Sequence, residues 1–157
     1  MKISRKFVAV GLIASLGATA LFAASHEGPF KNEVTARQSL MRLYAFNISQ
    51  LGAMAKGVLA YDAEAASAAA ANIAALSKLN QAAMWPAGSD NFSIDGTRAM
   101  PELWDNMADV QTKAAGLSAA ADAMAIAAGG GLDSLRGAMN TLGAACGACH
   151  KAYRQAQ

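Results

Sequence analysis

The spacing of apolar residues constrains the fold of this chain most strongly. In the last segment these residues recur alternately three and four positions apart, at Leu132, Leu135, Met139, Leu142, Cys146, Cys149 and Tyr153. Two earlier segments repeat the alternation, at Arg37, Met41, Tyr44, Ile48, Leu51 and Ala55, and at Leu103, Met107, Val110, Ala114, Leu117, Ala121 and Met124. Such spacing puts one seam along each helix and favours packing of neighbouring helices at roughly 20°.

We therefore predict an all-α chain, folded as an antiparallel four-helix bundle. A shorter seam at Ala66, Ala69, Ile73 and Leu76 marks one more helical segment, the second along the chain. The predicted helices run from about Asn32 to Lys56, from an N-cap at Asp62 to about Leu79, from Pro101 to just before Gly129, and from about Leu132 to Arg154. The polar connection from Asn80 to Arg98 contains Trp85-Pro86-Ala87-Gly88-Ser89, whose residue types end helices and build turns.

The first 23 residues follow a different pattern. Lys2, Arg5 and Lys6 precede an apolar run over residues 7–23 that ends in small residues, which is the arrangement of a cleaved secretory signal peptide. A membrane anchor is the alternative, but it needs roughly 20 apolar residues. We predict a signal peptide over 1–23 and a single mature domain over 24–157.

Charge narrows the choice of partners. Of the thirteen Lys and Arg residues three lie in the predicted signal peptide, so ten remain against eleven Asp and Glu, and the mature chain is near neutral. This balance gives no electrostatic case for binding nucleic acid. The mature part has no second long apolar stretch, so we expect no membrane partner after signal cleavage.

Two thiols and an imidazole lie together at Cys146, Cys149 and His150. A structural zinc site needs four ligands, and the one other histidine is His26. A thioredoxin-like pair opens a helix after a strand, whereas this pair lies near the end of a helix. The spacing C-x-x-C-H fits c-type haem attachment, in which both thiols add to haem vinyl groups and the imidazole binds the iron. A simple disulfide is the alternative for an exported chain.

The extended motif Cys146-Gly-Ala-Cys149-His150-Lys-Ala-Tyr153-Arg154 resembles that of the cytochrome c′ family, the class II cytochromes c, which include low-spin members with a Met ligand. Ala36-Arg37-Gln38, Trp85-Pro86 and Pro101-Glu102-Leu103-Trp104 also match. The resemblance covers nearly the whole mature chain. It implies one haem c between the helices, a periplasmic location, and homodimers formed through the first two helices.

By this resemblance Met41 occupies the distal side of the iron, opposite His150. A Met ligand would close the iron and suit electron transfer, whereas an open iron could bind a small gas. Met41 as a core-filling residue is the alternative, since methionine packs well into irregular gaps.

Arg37 lies one turn before Met41. A buried guanidinium needs a partner, and the resemblance places this one near a haem propionate, with Gln38 assisting. The alternative is an Arg whose head reaches water.

The sequence thus predicts a periplasmic cytochrome that is not an enzyme. It would carry single electrons between redox partner proteins through one haem c, attached at Cys146 and Cys149 and bound by His150 and by Met41. The alternative is a five-coordinate cytochrome c′ that binds or buffers small gases such as nitric oxide.

Overall fold

The computed structural model describes residues 28–156, so the predicted signal peptide and His26 lie outside the described residues. The described chain is helical, with a short 3₁₀ turn at Ala82–Met84 and α-helices α1 (Lys31–Ala55), α2 (Ala63–Ser77), α3 (Glu102–Asp105), α4 (Met107–Ala127) and α5 (Leu132–Tyr153). Each long helix packs on its two neighbours in the cycle α1, α2, α4, α5, and the backbones of the diagonal pairs stay apart. This arrangement confirms the predicted four-helix bundle.

Local chemistry sets the helix ends. Asp62 is the predicted N-cap of α2, and its carboxylate accepts a hydrogen bond of 2.8 Å from the Ala65 amide. Helix α1 ends where Gly57 adopts a φ of 73°, a conformation that glycine takes without strain. The turn between α4 and α5 is held by Tyr61, whose hydroxyl donates to the Ala128 carbonyl and accepts from the Gly131 amide.

The predicted third helix is divided at Asn106. Its backbone, with φ −122° and ψ 40°, leaves the helical region, and its side-chain amide donates to the Glu102 carbonyl at 2.8 Å. An asparagine side chain that bonds a nearby carbonyl competes with the helix. The single helix expected from Pro101 onwards is therefore the short α3 followed by α4.

The seam of α1 also differs from the predicted one. Arg37, Tyr44 and Leu51 are buried as expected, but the residues buried between and after them are Leu40, Asn47 and Met54. Met41 was predicted to lie on this seam and is instead 36% exposed. Asn47 can be buried because its amide donates to the Leu43 carbonyl at 2.8 Å and its oxygen accepts from Asn72 of α2 at 3.0 Å.

The core lies along the bundle axis and uses small residues on one helix. Helix α2 contributes four buried alanines and Ile73, so its backbone comes close to α1 and α4. The largest fully buried apolar side chains are Leu51, Ile73, Met124, Leu135 and Leu142. Within residues 28–156, no helix is long and apolar enough to cross a bilayer.

Candidate functional site

The last turns of α5 carry the two thiols and the imidazole on one side. Cys146, Cys149 and His150 stand three and four positions apart, which places them on one helical face. All three side chains are half-buried, and both thiols are free. Burial raises the pKa of each thiol above its ordinary value and lowers the pKa of His150. This face of α5 is thus partly shielded from solvent and partly accessible.

The charges of two arginines act on the same imidazole. Arg154 and Arg98 both lower the pKa of His150 further, because a nearby cation disfavours the imidazolium. A short antiparallel pairing positions them: Ala99 bridges Arg154, and the Gln155 amide donates to the Arg98 carbonyl at 2.9 Å. Arg154 was expected near His150 from its position on the helix. Arg98 was not, because nothing in the sequence signals that the chain after Tyr153 pairs with the connection before α3.

Helix α1 runs antiparallel to α5, and two contacts between them fix how the helices are aligned. The Arg136 guanidinium donates to the Ala55 carbonyl at 2.7 Å, and the Met139 methyl lies against Gly52. Three residues back on α1 therefore correspond to three residues forward on α5. Eleven further residues along each helix reach Met41 on α1 and His150 on α5, so these two stand at the same level of the bundle.

Tyr44 lies one turn after Met41 on α1 and belongs to its buried face. Its ring belongs to the buried cluster that includes Leu142 and contacts Ala145, and only 5% of the residue is exposed. Its hydroxyl has no hydrogen-bond partner among the described residues. Burial, and secondly the Cys146 thiol, raise the pKa of Tyr44 to about 12. A buried polar group without a partner is costly, which indicates a group to be received at this place.

Arg37 is buried, with 3% of its surface exposed, so its head does not reach water as the alternative interpretation had it. Its guanidinium donates to the hydroxyl and carbonyl of Ser89 at 2.7 and 2.5 Å, to the Thr97 hydroxyl at 2.9 Å and to the Met84 carbonyl at 3.2 Å. The ring of Trp85 lies 4.8 Å from the guanidinium carbon. Gln38 likewise donates to the Gly96 carbonyl, at 2.6 Å. Both side chains thus hold the connection before α3, and their role at a propionate stays a prediction.

Sequence reasoning did not find the partners of Arg37, since Ser89 and Thr97 are ordinary turn residues. It also missed Asp109 of α4, whose carboxylate accepts a hydrogen bond of 2.5 Å from the Tyr153 hydroxyl, one turn beyond Cys149. Lys113 forms an ion pair with the same carboxylate at 2.7 Å. These groups brace α4 against the end of α5 and lower the pKa of Asp109.

The residues present fit a haem c. Two free, half-buried thiols and an imidazole share one face of α5, and the buried hydroxyl of Tyr44, whose pKa the Cys146 thiol raises, has no hydrogen-bond partner among the described residues. Residues 28–156 contain no group of three or more His, Cys, Asp or Glu that could hold a metal ion directly.

Comparison with known proteins agrees with this chemistry. A sequence profile described as cytochrome c′ matches residues 32–154. Cytochrome c-554 of Cereibacter sphaeroides is 43% identical over 122 residues, which cover 78% of this chain and 80% of that protein. The solved cytochrome c′ of Rhodobacter sphaeroides superposes with a TM-score of 0.80 at 31% identity, covering 83% of this chain and all of that one.

A third relative is a solved cytochrome c′ with a ligand-controlled dimer dissociation, which matches with a TM-score of 0.74 at 31% identity over 81% of this chain and 97% of its own. Profile, sequence and structure thus agree over nearly the whole described region. The chain therefore belongs to the cytochrome c′ family, and its cofactor is haem c.

Proposed function

We propose that this protein is a periplasmic carrier of single electrons and not an enzyme. Its haem c would be attached through Cys146 and Cys149, with His150 as one axial ligand of the iron and Met41 as the other. When bound, haem c supplies a one-electron iron couple, and paired His and Met ligands favour its reduced form.

The alignment of α1 with α5 is the observation that carries this proposal. It sets Met41 and His150 at one level of the bundle, on two neighbouring helices. A ring held by Cys146 and Cys149 on the face of α5 would lie between them. The Met41 thioether would then be placed to bind the iron from the side opposite the His150 imidazole.

Met41 is also uncommitted to core packing, unlike other methionines of the chain. Met54 and Met124 are buried in the core, and Met84 and Met139 pack against it. Met41 lies outside this cluster with 36% of its surface exposed. Using its thioether as a ligand would remove little from the packing of the bundle.

Arg98 and Arg154 contribute to the same function from the proximal side. Their positive charges act on His150 and oppose a further positive charge at this place. Because oxidation of the iron adds one positive charge, these arginines favour the reduced state.

Ligation by Met41 is tested by the spectrum of the purified holoprotein. We expect a low-spin spectrum and slow binding of carbon monoxide in the reduced state. Met41→Leu, which conserves volume, should become high-spin and bind carbon monoxide rapidly. Met139→Leu is the matched control, because Met139 lies about three turns before His150 on α5. This variant should keep the parental spectrum. A high-spin parent protein, or a low-spin Met41→Leu variant, would refute ligation by Met41.

Attachment through the cysteines has a separate test. In a Cys146→Ser, Cys149→Ser variant the haem should be extracted by acid from the denatured protein. Colour that stays with the polypeptide would contradict the proposed thioether bonds.

Gas binding is the second candidate function. The exposure of Met41 favours it, because a side chain that is 36% exposed is less tightly packed than a core residue and can move aside for a small ligand. The ligand-controlled dimer of the related cytochrome c′ points in the same direction. High-spin iron and rapid carbon monoxide binding in the unmodified protein would support this function over electron carriage.

We also propose a homodimer formed through α1 and α2. Leu43 and Phe46 of α1 are 51% and 61% exposed, and with Ala75 and Leu76 of α2 they border a groove of about 350 Å³. A second copy is the occupant that fits, since a relative of the same fold forms a dimer. Redox partner proteins would bind elsewhere, near the end of α5.

A further inference from the structure

Tyr44 is a buried group that the proposed function does not use. It lies on α1 between Leu40 and Asn47, the neighbouring members of the buried face, and its hydroxyl lacks a partner among the described residues. The two other tyrosines of the chain both have hydrogen-bonded hydroxyls. The hydroxyl of Tyr61 bonds the α4–α5 turn, and the hydroxyl of Tyr153 bonds Asp109.

The surroundings of Tyr44 define which group could be its partner. Leu142 of α5 belongs to the same buried cluster as Tyr44, and Ala145 packs against that cluster, so Tyr44 and the segment that leads into Cys146 line one core. The alignment of the helices agrees, because residue 44 on α1 falls at the level of residue 147 on α5. The influence of the Cys146 thiol on the pKa of Tyr44 supports the same proximity.

The chemistry of haem c then limits the acceptor. Its propionates leave the ring at the edge opposite the vinyl groups, so a hydroxyl beside Cys146 cannot reach them. The polar atom at the vinyl edge is the sulfur of the thioether itself, which is a weak hydrogen-bond acceptor. A buried hydroxyl with no better partner gains by donating to it.

We propose that the Tyr44 hydroxyl donates a hydrogen bond to the thioether sulfur formed by Cys146, and that this bond tunes the haem. Tyr44 acts as a positioning residue for the attached group and is not an iron ligand. Donation draws electron density from the sulfur and hence from the ring, which stabilises the reduced state. The inference rests on haem attachment at Cys146 and not on the identity of the second axial ligand.

Tyr44→Phe in the full holoprotein is the direct test, because it removes the hydroxyl and keeps the ring in the core. We expect a lower reduction potential and a shifted C–S stretching band in the resonance Raman spectrum. The melting temperature should fall by about 3 °C, the effect of losing one hydrogen bond in a domain of this size. Tyr61→Phe is the matched control, because it also loses a bonded hydroxyl and should lower only the melting temperature.

A measurement on the unmodified protein keeps the proposal testable if Tyr44→Phe fails to load haem. Refolding the holoprotein in D₂O should shift the C–S band, since deuterium then replaces the proton donated to the sulfur. The same band unmoved in D₂O, or a Tyr44→Phe variant with the parental potential and C–S band, would overturn the proposal. Failure of Met41 as a ligand would appear in the spin state and would leave both of these readouts informative.

Discussion

Replacing Arg37 tests whether the connection between α2 and α3 is held from within the bundle. Arg37→Met keeps an unbranched apolar stem beside Trp85 but removes all the donors of the guanidinium. The hydroxyl and carbonyl of buried Ser89 lose their bonds to it, while the Met84 carbonyl and the Thr97 hydroxyl are part-buried and can turn to water. The structural effect should therefore centre on Ser89.

The magnitude follows from these acceptors. The Ser89 carbonyl, left without a donor, costs about 1–3 kcal/mol. The Ser89 hydroxyl keeps the bond of 2.8 Å that it donates to the Pro86 carbonyl and loses one bond to a charged group, worth about 1.5–3 kcal/mol, so the two losses together give about 2.5–6 kcal/mol. Relief from burying an unpaired cation offsets part of this, since burial already lowers the pKa of Arg37. We expect a net loss of about 2–4 kcal/mol in the free energy of unfolding. Arg37→Lys should lose about half as much, because one ammonium cannot reproduce the fork of donors.

Denaturant unfolding of variants with matched haem content measures this loss, and limited proteolysis within residues 80–98 reports on the connection itself. Arg37→Met should be cleaved there faster than the parent protein, with Arg37→Lys between them. A free energy of unfolding within about 0.5 kcal/mol of the parent would refute the reasoning, because that is the range of neutral surface changes. Reduced haem loading without faster cleavage would show that Arg37 acts on a propionate instead.

Three further changes probe other parts of the molecule. Phe46→Glu should convert the proposed dimer to a monomer in light scattering; a monomeric parent would contradict the interface. Asp90→Asn should make the free energy of unfolding less sensitive to acid, because hydrogen bonds from Ser93 lower the pKa of Asp90. The stability that Asp90 contributes is therefore present above about pH 4 and is lost as the pH falls further. Equal slopes of unfolding free energy against pH below about pH 4 in the two proteins would contradict this. Gly131→Ala should lower the free energy of unfolding by about 1–3 kcal/mol, because Gly131 has a φ of 111° that alanine adopts only with strain. Gly137→Ala, within α5 and with open space around it, should raise the free energy of unfolding by up to about 1 kcal/mol. Equal effects of the two changes in thermal unfolding would contradict the strain argument.

The helical architecture could be predicted because the signals for it are local. Alternating spacing, the Asp62 N-cap and the glycines after α1 and α4 act within a few residues, and their outcome matches the helix ends to within about two residues. The division at Asn106 was not predictable in the same way. It depends on whether one side-chain amide bonds a carbonyl, and asparagine does this in some helices and not in others.

The candidate site likewise contains residues that local sequence signals reveal and residues that they do not. Cys146, Cys149 and His150 form a contiguous motif whose geometry a single helix fixes, so the sequence was enough to find it. Arg98 and the partners of Arg37 depend on the path of the connection over residues 80–98. That path is set by hydrogen bonds between segments distant in sequence, such as the one from Asn91 to Gln155.

The buried seam of α1 differs from the predicted one, and this difference determines where Met41 lies. Two alternations of three and four share Arg37, Tyr44 and Leu51: one continues through Met41 and Ile48, the other through Leu40 and Asn47. Apolar character favours the first, but a bonded Asn47–Asn72 pair lets the second face inward. Met41 is thereby left outside the core at the level of His150. Had the more apolar seam been the buried one, Met41 and Ile48 would lie in the core in place of Leu40 and Asn47. The buried Asn47–Asn72 pair therefore helps to determine how far Met41, the proposed second ligand of the iron, is packed into the core.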